Sequence, residues 1–379
     1  MSKSALKRRA HEARHWLMDA CFPLWSERGV ADHGLFRESL SIDHQPAASD
    51  TTRLRVQARQ TYVFSEALRM GWKPDTARDL IGMGLGTLTG PGLRADGLPG
   101  RTLDTATGQL ADDTPDLYDT AFILFALAEA DRALGGDADT RAAAHSILSR
   151  LDTALRSPDG GYVETLPPGP QRHQNPHMHL LEACLSLHQA EPDASHMVRA
   201  DELVALFHDR LIAGEGGLVG EHFAPGWATP PGRDAEIVEP GHLFEWVWLL
   251  HAYARLSGKP ASAAARPIYD FARATLDPEG RAVQEVSRSG AIEDGSRRTW
   301  PQTEALKAHI ALFEATGEET YAAAACRSFD VLMDEYLTPE GGWIEHYDAD
   351  GKPIATAMPA STGYHVTLAF THLMQVMKD

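Results

Sequence analysis

Glu239-Pro240-Gly241-His242-Leu243-Phe244-Glu245-Trp246-Val247-Trp248-Leu249-Leu250 reads as the opening of a helix. Proline is preorganised for the first helical position, where its missing N–H would have had no partner. Glu239 then serves as the cap. His242 and Glu245, three apart, share a face, so the carboxylate is expected to reach the imidazole and fix its tautomer. Taken alone, such a pair is more often a surface feature of an amphipathic helix.

The same X-Pro opening recurs along the chain. Thr114-Pro115, Asn175-Pro176, Trp300-Pro301 and Met358-Pro359 join Glu239-Pro240, at every second helix from the fourth onward. Apolar residues follow helical spacing over Leu117 to Ala130, His177 to Gln189, Leu203 to Leu211, Phe244 to Leu256, Thr303 to Ala315 and Tyr321 to Tyr336. With Ala5 to Glu27, Leu54 to Gly71 and Pro74 to Leu88 this makes about twelve helices. Glycine-centred loops punctuate them: Asp32 to Phe36, Asp96-Gly97-Leu98, Asp159 to Val163, Gly216 to Val219, Pro278 to Ala282 and Glu340 to Ile344. They lie about 60 residues apart, the signature of a repeat built from helix pairs. Extended patterns such as Tyr162-Val163-Glu164 and Trp343-Ile344-Glu345 read as short β-ribbons in the connections.

Six helix pairs with one recurring loop each predict an all-α fold, an (α/α)6 barrel forming a single domain over residues 1–379. An open α-solenoid has the same local pattern and is the structural rival. In a closed ring, the helices that open with X-Pro are the inner ones, and their N-termini face one mouth. Polar and aromatic residues follow each proline: Tyr118 and Asp119; His177 and His179; His242 and Glu245; Gln302, Glu304 and Lys307; Tyr364 and His365. Helix N-termini aimed at one cavity supply partial positive charge and unpaired N–H groups. That field favours a developing anion and lowers histidine pKa values, leaving neutral imidazoles able to act as bases. Arg59 would add a fixed, forked donor. Each has a plainer alternative: Arg59 could pair with Glu66 or Asp119, and Glu304 with Lys307 as a surface pair.

Composition narrows the classes of function. The formal charge of -18 speaks against non-specific nucleic-acid binding and against docking on anionic lipid. Hydrophobic content of 43% and charged content of 23% are ordinary for a soluble protein. No apolar run approaches the length of a membrane span. Cys21, Cys184 and Cys326 are far apart, with no CxxC, which suits a reducing compartment. The basic N-terminus leads into His11, Glu12, Arg14 and His15 rather than an apolar core, so a cytoplasmic protein is expected. Three histidines and a glutamate could hold zinc or manganese, but no HExxH is present, and His177 and His179 point apart on a helix. No metal and no cofactor are expected.

The motifs together resemble the N-acylglucosamine 2-epimerase superfamily, which includes mannose isomerase, sulfoquinovose isomerase and cellobiose 2-epimerase. The matching segments are Val56 to Phe64, Asp116 to Phe122, Asn175 to Ala183, Glu239 to Leu250, Trp300 to Glu304 and Tyr364-His365, in family order. The resemblance implies an (α/α)6 barrel and metal-independent chemistry at C2 of an aldose. It places Arg59, His179, His242, Glu245 and His365 at functional positions, with Tyr118, Asn175 and Trp300 near the sugar and Gln302 and Glu304 as further substrate contacts. His365 is expected to move the C2 proton, His242, held by Glu245, to assist ring opening, and His179 to polarise the C1–O5 region. Similarity to proteins described as mannose or mannose-6-phosphate isomerases favours mannose, or its 6-phosphate, with the corresponding fructose. Arg172 with His173, or Arg297 with Arg298, would be the local basic pair for a phosphate. A 2-epimerase uses the same histidines. An inverting glycoside hydrolase, with Glu245 and Glu304 as its two carboxyl groups, and a non-catalytic solenoid are the competing classes. A monosaccharide or sugar phosphate is the expected partner, with the protein a monomer or homodimer.

Overall fold

The computed structural model describes residues 2–212 and 215–378. Met1 and Asp379, the ends of the expected 1–379 domain, and the pair 213–214 lie outside the described residues.

Among the described residues, twelve helices alternate between an outer and an inner layer. The outer helix α1 runs Ser2–Trp16, makes one π turn at Leu17–Cys21 and continues over Phe22–Arg28. The inner α2 is Leu54–Arg69, the outer α3 Pro74–Thr89, the inner α4 Leu117–Leu134 and the outer α5 Ala138–Ala154. There follow the inner α6, Gln174–Ala190, the outer α7, Ala194–Leu206, and the inner α8, Pro240–Ser257. The outer α9 is Ala265–Ala274, the inner α10 Thr299–Thr316, the outer α11 Glu319–Val331 and the inner α12 Thr362–Val376. Burial follows from composition. The outer α9 hides Ala265, Ile268, Tyr269 and Ala272, a single stripe at i, i+3, i+4 and i+7. The inner α4 is apolar nearly all round and is buried without a break from Asp119 to Asp131.

Each inner helix packs on the next, and α12 returns to α2, which closes the ring and excludes the open solenoid. Polar contacts tie the seam. Ser39–Ser41 pairs antiparallel with Ala357–Pro359, and Gln60 Nε2 donates to the Ala360 carbonyl at 2.6 Å. None of the described helices is long and apolar enough to cross a membrane.

The short strands lie elsewhere than expected. Tyr162 and Trp343 make single bridges, to Arg156 and Leu337, rather than ribbons. The paired strands instead sit just before the inner helices, as at Thr51–Arg53, Arg172–His173 and Arg297–Arg298. They fix the extended entry of the chain into the mouth. The prolines are less uniform than the X-Pro pattern implies. Only Pro240 stands at the first position of its helix. Pro176 and Pro301 are third in theirs, whereas Pro115 and Pro359 precede the helix. All of these places spare an N–H that has no intrahelical partner.

The glycine loops are tight turns after the outer helices, closed by the same i to i+4 backbone bond at Ala31/Leu35, Arg94/Leu98, Ser157/Gly161, Asp277/Arg281 and Thr338/Gly342. Each turn carries a left-handed glycine, with φ between 80° and 95° at Gly34, Gly97, Gly160, Gly280 and Gly341. At Gly341 the constraint is doubled, because a Cβ would stand 2.4 Å from the backbone of Ala20 in α1. Gly341→Ala is therefore expected to destabilise the fold by at least about 2 kcal/mol, read as a lowered thermal midpoint, with the catalytic residues untouched.

Candidate active site

All six inner helices open on a cavity of about 510 Å³. Its wall takes Arg55 and Arg59 from α2, Tyr118 from α4, Asn175 and His179 from α6, His242 and Glu245 from α8, Trp300 from α10 and His365 from α12. Eight of the ten expected site residues thus converge, drawn from a span of more than 300 positions. Side chains in the first turns lean toward the helix N-terminus, so residues at these offsets tip into the mouth.

Glu304 and Gln302 do not line it. Gln302 clamps the glycine loop instead: its Oε1 accepts from Ala282 N at 2.8 Å, and its Nε2 donates to the Ala282 carbonyl at 2.9 Å. Gln57 does the same to Phe36, at 2.9 and 2.7 Å. His177 likewise accepts from Tyr162 N at 3.0 Å. These three sit at the fourth residue of α2, α6 and α10, each meeting the residue two beyond the left-handed glycine. Gln302 and His177 are thus fasteners of the repeat, a role visible in sequence only by aligning the helix starts. Glu304 lies behind the wall, where its Oε1 is 2.8 Å from His365 Nδ1.

The expected His242–Glu245 pair does not form. His242 Nδ1 is 2.8 Å from Glu221 and 3.8 Å from Glu239. As the third residue of α8, its ring leans out past the helix start, where the connection carrying Glu221 passes. Glu245, one turn deeper, points to the barrel axis, 3.9 Å from His179 Nδ1 and 3.8 Å from Lys307 Nζ. Glu221 itself is held by Gln174 Nε2 at 3.0 Å and by the Glu239 N–H at 3.1 Å. Nothing periodic marks Glu221, which sits in an irregular loop. Gly241 serves the same corner, since a Cβ there would stand 2.6 Å from the Trp300 ring.

Three of the histidines lining the cavity, His365, His179 and His242, differ in charge. His365 is 6% exposed, and burial, with Arg59 and Lys307 adding to it, holds its pKa well below the usual range. Burial likewise takes His179 down to about 3, although Glu245 opposes it. His242 is buried as well, but Glu221 and Glu239 outweigh the desolvation and push it up to about 10. At neutral pH His365 and His179 are therefore neutral imidazoles and His242 an imidazolium. Trp300 lies between the charged ring and a neutral one, its centroid 4.9 Å from His242 and 5.9 Å from His365.

Arg59 pairs with neither Glu66 nor Asp119. Its Nη2 donates to Tyr118 OH at 2.8 Å, and its guanidinium lies 3.9 Å over the Phe122 ring. Asp119 goes to Arg55 at 3.0 Å. Asn175 presents a buried Oδ1 with no partner. Other mouth cations are already matched: Arg53 by Glu38, Arg298 by Glu345, His173 by Glu164. Arg172 and Arg297 face away, bonded to Tyr162 and Asp277, because successive strand residues point to opposite sides. Each of the two expected basic pairs is split in this way. Arg59 is the one arginine of the wall without a carboxylate among the described residues.

Three His/Glu groups bring ligand atoms within 4.8 Å: His179–Glu182–Glu245, Glu221–Glu239–His242 and Glu245–Glu304–His365. Their chemistry would suit a divalent ion, but in each the imidazole Nδ1 faces a carboxyl of the same group. Lys307 also puts an ammonium 2.6 Å from Glu304, where the third would need the metal. The arrangement is that of hydrogen-bonded acid–base pairs. Glu245 and Glu304 face this ammonium rather than each other across the cleft, so they do not form the carboxyl pair of an inverting hydrolase.

Residues 34–369 match the family model described as N-acylglucosamine 2-epimerase (GlcNAc 2-epimerase). The chain is 36% identical to a mannose-6-phosphate isomerase of Rhizobium meliloti, over 97% of each protein. It is 27% identical to a D-mannose isomerase of Thermobifida fusca, over 67% of each. The fold superposes on the cellobiose 2-epimerase of Spirochaeta thermophila with a TM-score of 0.88, at 24% identity, covering 98% of this chain and 97% of that one.

Proposed function

Because the chain belongs to the N-acylglucosamine 2-epimerase family and is an aldose–ketose isomerase or 2-epimerase, we propose that it interconverts mannose and fructose without a metal. The observation that carries this reading is the unequal charge of His242 and His365 on either side of Trp300. A sugar that must first open and then lose a carbon-bound proton needs an acid and a base at once. His242, as imidazolium, gives a proton to the ring oxygen while the C1 hydroxyl gives its own to the neutral imidazole of His179, and the hemiacetal opens. Nε2 of neutral His365 then takes the proton from C2, leaving a cis-enediolate. Arg59, the Asn175 amide and the helix N-termini stabilise the negative oxygen, as preorganised donors do in a site that excludes water. Moving the O2 proton to O1 and returning the carbon-bound proton to C1 yields the ketose.

The free sugar is preferred over its 6-phosphate because the mouth arginines other than Arg59 already carry carboxylate partners. A dianion would have to compete with Glu38, Asp119 and Glu345 for them.

A 2-epimerase is the second reading, and one feature favours it. His179 on α6 stands three inner helices from His365 on α12 in either direction round the ring, so the two neutral imidazoles come from opposite walls. That is the placement for returning the proton to the other face of C2.

Incubation of the pure, chelator-treated protein with mannose in deuterated water tests the scheme. Fructose carrying solvent deuterium at C1 is expected, with mannose 6-phosphate a poorer substrate. Glucose carrying deuterium at C2 would select the epimerase reading. Loss of activity on chelation, restored by a divalent ion, would refute the metal-free chemistry. No exchange with mannose, mannose 6-phosphate, N-acetylglucosamine, sulfoquinovose or cellobiose would sink the C2 reading altogether.

A further inference from the structure

Lys307 stands where an ammonium is least expected. It lies one turn beyond Glu304 on α10, and both residues are 0% exposed, so they are not the surface pair that their spacing allows. Lys307 takes no part in the wall of the sugar cavity. Its Nζ is 2.6 Å from Glu304 Oε2, 3.8 Å from Glu245 Oε1 on α8 and 4.0 Å from the centre of the Trp248 ring. Taking both ions of a pair out of water is often no better for stability than well-packed apolar residues of the same volume. Stability alone therefore does not account for this ammonium.

The other oxygen of Glu304, Oε1, is 2.8 Å from Nδ1 of His365. One carboxyl group thus spans from the ammonium to the imidazole. In a neutral imidazole one nitrogen carries the proton and the other is a bare acceptor, and the partner of the first decides which. A Glu304 carboxylate can only accept, so Nδ1 holds the proton and Nε2, on the other side of the ring, is bare. One more proton on the pair fills Nε2, whether Glu304 hands it to Nδ1 or His365 becomes an imidazolium. A filled Nε2 takes nothing from C2. Many groups act on this pair: Glu245 of α8, Glu182 of α6 and Tyr364 of α12 on Glu304, and Arg59 of α2, His179 of α6 and His242 of α8 on His365. Burial, with Glu245 beside it, lifts Glu304 well above its ordinary range, and Lys307 is the charge that opposes them. Glu304 in turn leads the groups that keep Lys307 charged against its own burial.

We propose that Lys307 is a positioning residue for proton transfer at C2: its buried ammonium keeps an extra proton off the Glu304–His365 pair, so that Nε2 of His365 stays free to act. The proposal rests on the assignment of His365 as the C2 base. Lys307 touches neither the sugar nor the reacting atoms and works through Glu304. With the ammonium in place the pair holds one proton, on Nδ1. Without it the pair takes a second from solvent, and Nε2 is filled.

Nitrogen NMR of protein labelled in its histidines reads the two ring nitrogens directly, and the His365 signals are those missing from His365→Ala. At pH 8 the native protein is expected to show a protonated Nδ1 and a bare Nε2. Lys307→Met, similar in length and uncharged, is expected to show Nε2 protonated at the same pH. The acid limb of its kcat/KM should move up by more than about one pH unit, and its kcat at pH 7 should fall more than about tenfold with KM for mannose within about twofold. A side chain that merely filled space would lower the thermal midpoint and leave that limb alone. Lys307→Gln, which keeps a donor without the charge, should show the same changes and serves if the methionine variant does not fold. A native protein with Nε2 protonated, or a folded variant with Nε2 bare, would overturn the assignment. The expected nitrogen states in a protein that turns over no aldose at C2 would uphold the effect of Lys307 on the pair and defeat the functional reading instead.

Discussion

His365→Ala is expected to lower turnover and the entry of solvent deuterium into the product by about 100- to 10,000-fold, about 3–5 kcal/mol in the barrier. The size follows from removing the group that takes the carbon-bound proton, while Arg59 and the helix N-termini stay in place to stabilise what little enediolate forms. The fold should survive. Glu304, the residue left facing the gap, keeps Lys307 at 2.6 Å. The neighbouring Tyr364 stays tied to Glu182. Circular dichroism and a thermal melt close to those of the native protein are the control. Imidazole added to the variant should restore part of the rate by occupying the space the side chain left. Full activity in His365→Ala would refute the assignment of the base and move it to His179.

How much of this could be read from the sequence depends on how local each feature is. The inner helices, the glycine turns and the convergence of Arg59, Tyr118, Asn175, His179, His242, Glu245, Trp300 and His365 follow from offsets counted along the chain from each helix start. A repeat makes such counting reliable, because every unit places the same offset at the same height in the barrel. What depends on contacts between units was not legible. Glu221 reaches His242 from an irregular loop, and Glu304 serves His365 from the preceding inner helix. Neither partnership has a spacing to recognise. The i, i+3 rule brought His242 and Glu245 to one face correctly. It could not say that a residue at the helix start leans outward while one a turn later points to the axis. Gln302 shows the converse error, a polar residue near the mouth that the repeat uses for its own turn.

The second large effect is expected at Glu221. Burial would leave His242 neutral; Glu221 at 2.8 Å and Glu239 at 3.8 Å, with a smaller contribution from Glu245, reverse that and carry it to about 10. A pKa raised in the folded protein means that the imidazolium's contribution to stability is complete below its ordinary value of about 6.5. That contribution is lost as pH climbs from there through about 10. Activity that needs the acid form should follow the same limb, holding through neutral pH and failing only near 10 in the native protein. Glu221→Gln keeps the shape and can still accept from the Glu239 N–H, but removes the nearer charge. The alkaline limb of kcat/KM is then expected to move down by about three pH units, because burial without the nearer charge disfavours the imidazolium. At pH 8 the variant should lose about tenfold or more in rate, and at pH 6, where the remaining Glu239 still helps to hold the proton, markedly less. Its thermal midpoint should fall relative to the native protein at pH 7 and converge with it toward pH 10, as the native imidazole too gives up its charge. Glu245→Gln supplies the contrast. If Glu245 rather than Glu221 governed His242, that substitution would shift the alkaline limb and Glu221→Gln would leave it alone. With the geometry found here, the shift belongs to Glu221.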